Sequence, residues 1–95
     1  MSQFSALLEK GAGELRDYCQ TSPEAKEFGV EWLQALAQRM EFASSLKSDA
    51  EVEREIAAIA YALCDSGPSS DDCAPSFMKA LDALQRLRKR RPIEL

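Results

Sequence analysis

The chain has 95 residues, of which 45% are hydrophobic and 29% are charged, a composition typical of one folded globular domain. No apolar run approaches the roughly 20 residues that a membrane-spanning helix needs, and the first residues lack the basic and apolar regions of a secretory signal. Histidine is absent, which excludes the commonest general base and the commonest metal ligand. We therefore expect a cytoplasmic protein with one domain over residues 1–91 and a short tail over residues 92–95.

The first predicted helix covers residues 3–19, where apolar residues recur at three- and four-residue spacing. Gly11 lies on this apolar stripe, where the missing side chain would let another helix approach closely. Gly13 lies off the stripe, and each glycine lowers the helix propensity. The sequence therefore predicts a close helix contact at Gly11.

The second predicted helix covers residues 23–45 and is unusually apolar. Either Ser22 caps it with Pro23 at the first helical position, or Thr21 and Glu24 form a capping box. On a helical wheel at about 100° per residue, apolar or small residues cover roughly two-thirds of the circumference. A core-facing helix needs an apolar stripe only roughly 100–140° wide.

Two interpretations of this apolar arc stay open. In the first, the helix is central and its neighbours cover it on two sides. In the second, Phe28, Trp32 and Phe42, which lie at one edge of the arc, contact a partner protein or a second copy of the chain. Aromatic side chains suit such a contact because they supply a large area at low entropic cost.

The third predicted helix covers residues 49–66. Ser48 and Glu51 have the spacing of a capping box at its start, and Gly67-Pro68 is a typical stop signal at its end. Its narrow apolar stripe consists of Val52, Ile56, Ile59 and Leu63. Tyr61 lies on the opposite side, so core packing does not explain it. Tyr61 is either a further partner-binding residue or an ordinary, partly exposed tyrosine.

The connection between Cys64 and Cys73 contains glycine, proline, serine and aspartate, which are the ordinary residues of a turn between helices. With Cys19 as the third cysteine, the odd number favours reduced thiols, although Cys64 and Cys73 could be bridged under oxidising conditions. Their spacing matches no standard zinc site, so we expect no metal. Residues 65–70 also fit the Asp-Ser-Gly-x-x-Ser pattern of a phosphorylation-dependent degradation signal, although so short a pattern arises easily by chance.

The fourth predicted helix covers residues 73–90, and Pro92 should end it. Its inward-facing residues are Phe77, Leu81, Leu84 and Leu87. Strand signals are nearly absent, and most connections between the four helices are short. Short connections favour antiparallel neighbours, so the sequence predicts an all-α fold, a small four-helix bundle with up-down antiparallel topology.

Charge is divided unevenly along the chain. Residues 1–85 contain seven basic and fifteen acidic residues, a net charge of −8, whereas residues 86–95 carry a net charge of +4. We name residues 86–95 the basic segment. Its cations are Arg86, Arg88, Lys89, Arg90 and Arg91. These cations either complement the helix dipole and the acidic body, or they bind nucleic acid or an anionic surface. The acidic body and the lack of interleaved aromatic residues argue against nucleic acid.

The sequence lacks catalytic equipment, because no histidine is present to activate a nucleophile and no phosphate-binding loop or metal motif occurs. We expect no enzyme activity and no cofactor. The sequence predicts instead a protein–protein interaction module, a small acidic helical regulator of inhibitor, immunity or chaperone type. Its partner would be a basic protein reached through charge steering, or a second copy in a homodimer. The alternative function is binding of nucleic acid or an anionic surface through the basic segment.

Overall fold

The computed structural model describes residues 4–90 and contains six α-helices in this range. They are α1 (Ser5–Thr21), α2 (Ala25–Phe28), α3 (Val30–Ser44), α4 (Asp49–Ser66), α5 (Ser70–Cys73) and α6 (Pro75–Arg90). No β-strand occurs among the described residues, so the prediction of an all-α chain is confirmed. The predicted helix end at Pro92 and the predicted tail lie outside the described residues.

The predicted single helix over residues 23–45 is wrong, because Gly29 divides it into α2 and α3. Gly29 has φ 100° and ψ 102°, a backbone conformation that glycine adopts at little steric cost and other residues rarely adopt. The helical wheel drawn for residues 23–45 therefore treated two separate helices as one, and its wide apolar arc is not the surface of a single helix. By itself, α3 buries one side only, with Leu33, Leu36, Ala37, Met40, Ala43 and Ser44 inward.

The predicted single helix over residues 73–90 is likewise divided, into α5 and α6. Pro75 begins α6, as expected for a residue that lacks the N–H needed to continue a preceding helix. Of the residues predicted to face inward, Phe77 and Leu84 are buried, while Leu81 and Leu87 are half-buried.

α4 begins and ends at the residues that the sequence predicted. Ser48 is its N-cap, and the Gly67 N–H donates to the Leu63 carbonyl oxygen at 3.0 Å just beyond its last residue. The Ser48 side chain makes no capping hydrogen bond, so the expected capping box does not form. Neither arrangement expected at residues 21–24 forms. Since α2 begins at Ala25 with Glu24 as its N-cap, Ser22 and Pro23 do not occupy the N-cap and the first helical position. The Thr21 hydroxyl donates to the Asp17 carbonyl oxygen instead of capping with Glu24.

The core lies between the four long helices, since α1 packs against α3 and α6, and α4 packs against the same two helices. Its largest fully buried side chains include Phe4, Leu8, Leu15, Leu33, Met40, Ile56, Ile59, Phe77 and Leu84. A Cβ placed on Gly11 would lie 3.0 Å from the Phe77 backbone nitrogen, so the predicted close helix contact is confirmed and involves α6. Within residues 4–90, no helix is long and apolar enough to cross a membrane.

Candidate protein-interaction surfaces

Two large hydrophobic side chains are exposed among the described residues, Phe42 on α3 (59% exposed) and Tyr61 on α4 (74% exposed). Tyr61 stands midway between the buried residues Ile59 and Leu63, and a step of two residues turns a helix by about 200°. Tyr61 therefore faces away from the core, as the wheel of its helix predicts. Phe42 has the same relation to the buried residue Met40.

Phe42 forms one wall of a shallow groove of about 230 Å³ between α3 and α4. We name it the Phe42 groove, and it is lined by Phe42, Leu46, Glu51, Arg54 and Glu55. The Arg39 Nε donates to Glu55 Oε1 at 2.8 Å and ties the two helices together there. The same hydrogen bond raises the pKa of Arg39 above its usual value. The groove thus combines an apolar wall with a charged rim, as protein interfaces commonly do.

Phe42 and Tyr61 belong to one side of the molecule, the outer side of the α3–α4 hairpin. Arg39 contacts Glu55, whereas Trp32 contacts Gly67, so α3 and α4 run in opposite directions. Arg54 lines the Phe42 groove, and Tyr61 lies seven residues further along α4, a rise of about 10 Å. We name this side, from Phe42 to Tyr61, the hairpin surface.

The other two predicted partner residues, Phe28 and Trp32, are half-buried and pack against the core. The Trp32 ring lies over Gly67, where an added Cβ would come within 3.1 Å of its Cη2 and Cζ3 atoms. Phe28 ends α2 and precedes the break at Gly29. The structure therefore brings Phe42 and Tyr61 to one exposed side and places Phe28 and Trp32 largely against the core. The partner-binding role of all four residues stays a prediction.

A larger groove of about 370 Å³, which the sequence did not predict, lies between the end of α4 and the start of α6. We name it the Cys64 groove, and it is lined by Ala60, Leu63, Cys64, Gly67, Pro68, Ser69, Asp71, Met78 and Leu81. The small residues Ala60 and Gly67 leave room in its wall. The sequence does contain one signal for this groove. Met78 and Leu81 are apolar residues of α6 that lie beside its buried stripe.

The cysteines differ sharply in environment, and all three are free thiols. Cys64 is exposed in its groove, whereas Cys73 is buried, and that burial raises the pKa of Cys73 to about 11. Partial burial also raises the pKa of Cys19. Among residues 4–90, no group of three acidic, cysteine or histidine side chains is placed to hold a metal ion.

The basic segment is described only in part. Arg86 and Arg88 are exposed on α6. The side chains of Lys89 and Arg90, and all of Arg91, lie outside the described residues. The predicted contact of this segment with nucleic acid or an anionic surface therefore stays a prediction.

No protein-family model, curated protein or solved structure matches this chain. What the chain does must therefore be inferred from its own residues and their arrangement.

Proposed function

We propose that this chain is a non-enzymatic protein-interaction module that binds another protein through the hairpin surface. The observation that carries this function is the exposure of Phe42 and Tyr61 on one side of α3 and α4. Aromatic side chains are enriched in protein interfaces, because they bury a large area while losing few rotamers. Phe42 also stands beside a groove with charged residues at its rim, among them Glu51 and Arg54.

The partner in this proposal is a basic protein. Residues 1–85 carry a net charge of −8, and opposite charge on a partner accelerates the encounter between two proteins. Association should therefore slow as salt is added, because salt screens charges separated by more than about 10 Å.

Three further assignments belong to the same proposal. The four long helices α1, α3, α4 and α6 act as an up-down antiparallel bundle that holds the hairpin surface rigid. The protein works in the cytoplasm, where an odd set of reduced thiols is stable. In biological role it is a small regulator, of the kind that inhibits or protects the protein it binds.

Site-specific photo-crosslinking tests this function. A photoreactive amino acid is placed at residue 42, at residue 61 or at the control position Gln20, which is exposed on α1. Each variant is irradiated in extract of the cells that express the protein. We expect residues 42 and 61 to crosslink to the same protein, and residue 20 to give little or none of that product.

Two results would overturn the hairpin surface as the binding site. One is the absence of any crosslinked protein at residues 42 and 61, and the other is an equal yield from residue 20. Irradiation of the purified chain alone separates the two kinds of partner, because a crosslinked dimer there identifies a second copy.

A further inference from the structure

We propose that the Cys64 groove binds the basic segment of a second copy of this chain. This contact goes beyond the function proposed above, since it uses a different surface and a named occupant.

The Cys64 groove is large enough to take a few apolar side chains of another segment. Its volume of about 370 Å³ falls at the small end of the roughly 300–1,000 Å³ that ligand pockets occupy. Leu63, Pro68, Met78 and Leu81 provide apolar contact in it. An occupant would thus bury apolar surface from both sides, which favours binding.

The charge around the groove selects a cationic occupant. Residues 60–85 contain four aspartates and one lysine, a net charge of −3. Asp71 lines the groove, and Asp65, Asp72 and Asp82 are exposed within a few residues of lining positions. Carboxylates form strong charge-assisted hydrogen bonds with guanidinium groups, often in a bidentate geometry.

The basic segment combines the two properties that the groove requires. It contains five basic residues and the apolar residues Leu87, Ile93 and Leu95. Arg86 and Arg88 are exposed on α6, and the ion pairs Arg16–Glu41 and Arg39–Glu55 lie elsewhere. In composition, the segment thus combines cations with apolar residues, the two kinds of side chain that complement the groove.

Geometry favours a second copy over the segment of the same chain. Leu81 in the groove and Arg90 at the end of α6 belong to one helix, nine residues apart, which is a separation of about 13.5 Å. Residues 86–90 belong to α6, the same helix that carries Leu81, so Arg86, Leu87 and Arg88 cannot enter the groove of their own chain. The same residues of a second copy have no such restriction.

The resulting contact joins two different surfaces, the groove of one copy and the basic segment of the next. Such a heterologous contact leaves a free groove and a free segment at the ends, so it can continue into rings or open chains. Self-association should therefore depend on concentration, weaken with salt and not stop at a dimer.

Analytical ultracentrifugation of the full chain tests this contact with a matched pair of variants. Asp71→Lys/Asp82→Lys reverses charge at the groove, and Glu9→Lys/Asp17→Lys makes the same change of net charge at exposed positions on α1. We expect salt-sensitive association of the unaltered chain and of the α1 variant, and at least about tenfold weaker association of the groove variant.

A peptide with the sequence of residues 84–95 provides a second measurement on dilute full chain. Trp32 is the only tryptophan and lies against Gly67 in the groove wall, and Cys64 is an exposed thiol inside the groove. We expect the peptide to shift the Trp32 emission and to slow alkylation of Cys64 several-fold. A peptide whose arginines and lysine are replaced by glutamine serves as the control.

Each outcome decides one part of the contact. If neither signal responds to the peptide, the groove does not bind this segment. If the peptide binds while the full chain stays monomeric at high concentration and low salt, a second copy is not the occupant. If both charge variants associate equally well, the aspartates at the groove have no role. Phe42→Ser should leave all these results unchanged, because Phe42 lines the other groove, so failure here is distinguishable from failure of the hairpin surface.

Discussion

Gly11 and Gly13 are two residues apart in α1, and their surroundings are opposite. A Cβ on Gly11 would meet the backbone nitrogen and the Cβ of Phe77 at 3.0 and 3.1 Å, whereas a Cβ on Gly13 would meet nothing within 4 Å. The atom nearest to Gly11 belongs to backbone, so α6 itself would have to move. The first glycine thus sets the distance between two helices, and the second only lowers helix propensity.

These surroundings predict that alanine at Gly11 and alanine at Gly13 change the free energy of unfolding in opposite directions. We expect Gly11→Ala to lower the free energy of unfolding by about 1–3 kcal/mol through overpacking. Gly13→Ala should raise it by roughly 1 kcal/mol, because alanine is the better helix former. Urea unfolding of both variants measures the difference. Stabilisation by both substitutions would show that α1 and α6 do not approach closely at Gly11.

The buried thiol of Cys73 makes stability depend on alkaline pH. Burial raises the pKa of Cys73 in the folded protein from the ordinary value of 9.0 to about 11. The stabilisation linked to the neutral thiol is therefore complete below pH 9 and is lost as the pH rises towards 11. We expect a loss of about 1–2 kcal/mol over this range, measured by urea unfolding at a series of pH values.

Cys73→Ala supplies the comparison for this pH dependence, since other groups also titrate at alkaline pH. The variant should lose less stability than the unaltered protein between pH 9 and 11. Parallel curves for the two proteins would mean that the thiol is not shielded from water.

At the scale of helices, Glu14 of α1 caps the start of α6. The Ser76 N–H donates to Glu14 Oε1 at 2.8 Å, and the Ser76 hydroxyl donates to Oε2 at 2.9 Å. A carboxylate at this place satisfies a backbone donor that has no partner within its helix and complements the positive end of the helix dipole. Glu14 therefore fixes the position of α6 relative to α1, close to the contact at Gly11.

Removal of this cap should weaken α6 more than the loss of an ordinary surface charge. We expect Glu14→Ala to lower the free energy of unfolding by about 1–2 kcal/mol, with faster hydrogen exchange in the first turn of α6. Glu9→Ala is the control, because Glu9 is exposed on the same helix and such substitutions stay within about 0.5 kcal/mol. Equal effects of the two variants would contradict the capping role.

The break between α2 and α3 predicts whether Gly29→Ala raises or lowers the stability of the protein. In a continuous helix, Gly29→Ala would stabilise the protein by about 1 kcal/mol. At the observed φ of 100°, alanine is strained, and we expect a destabilisation of about 1–2 kcal/mol. Thermal unfolding of the variant distinguishes these results, since stabilisation would require an unbroken helix.

The helices that the sequence predicted well are those whose ends carry redundant signals. α4 begins and ends where predicted, because Ser48 precedes it and a glycine followed by a proline stops it. Gly29 lies inside an apolar run with no proline after it, and an isolated glycine is usually tolerated in a helix. The break was missed for that reason, and the width of the apolar arc was overestimated with it.

Among the candidate sites, too, the sequence predicted only the features that the pattern within one helix specifies. The outward position of Tyr61 follows from the spacing of the buried stripe within α4, so sequence alone predicted it. Helical spacing also gave the candidate Trp32, but not the contact with Gly67 that half-buries its ring. The Cys64 groove combines residues of α4, α5, α6 and the turn before α5. Its existence depends on how these elements pack, which periodicity within one helix does not specify.

Considered as a whole, the molecule presents two candidate binding sites on the two sides of α4. Glu51, Arg54 and Glu55 face the Phe42 groove, while Ala60 and Cys64 face the other groove. The first site has exposed aromatic side chains, and the second is an apolar groove surrounded by aspartates. The two grooves share a helix but no lining residue, so Phe42 can be substituted without altering the lining of the Cys64 groove.

The interaction surface is tested most directly by one comparison of affinities. The protein captured by crosslinking is purified and titrated with the unaltered chain, with Phe42→Ser/Tyr61→Ser, and with Gln20→Ser/Gln34→Ser as the control pair of exposed residues. We expect the first variant to bind at least about tenfold more weakly, a loss of roughly 1.4 kcal/mol or more, with its unfolding free energy nearly unchanged. Equal affinity of all three proteins would contradict a binding role for Phe42 and Tyr61.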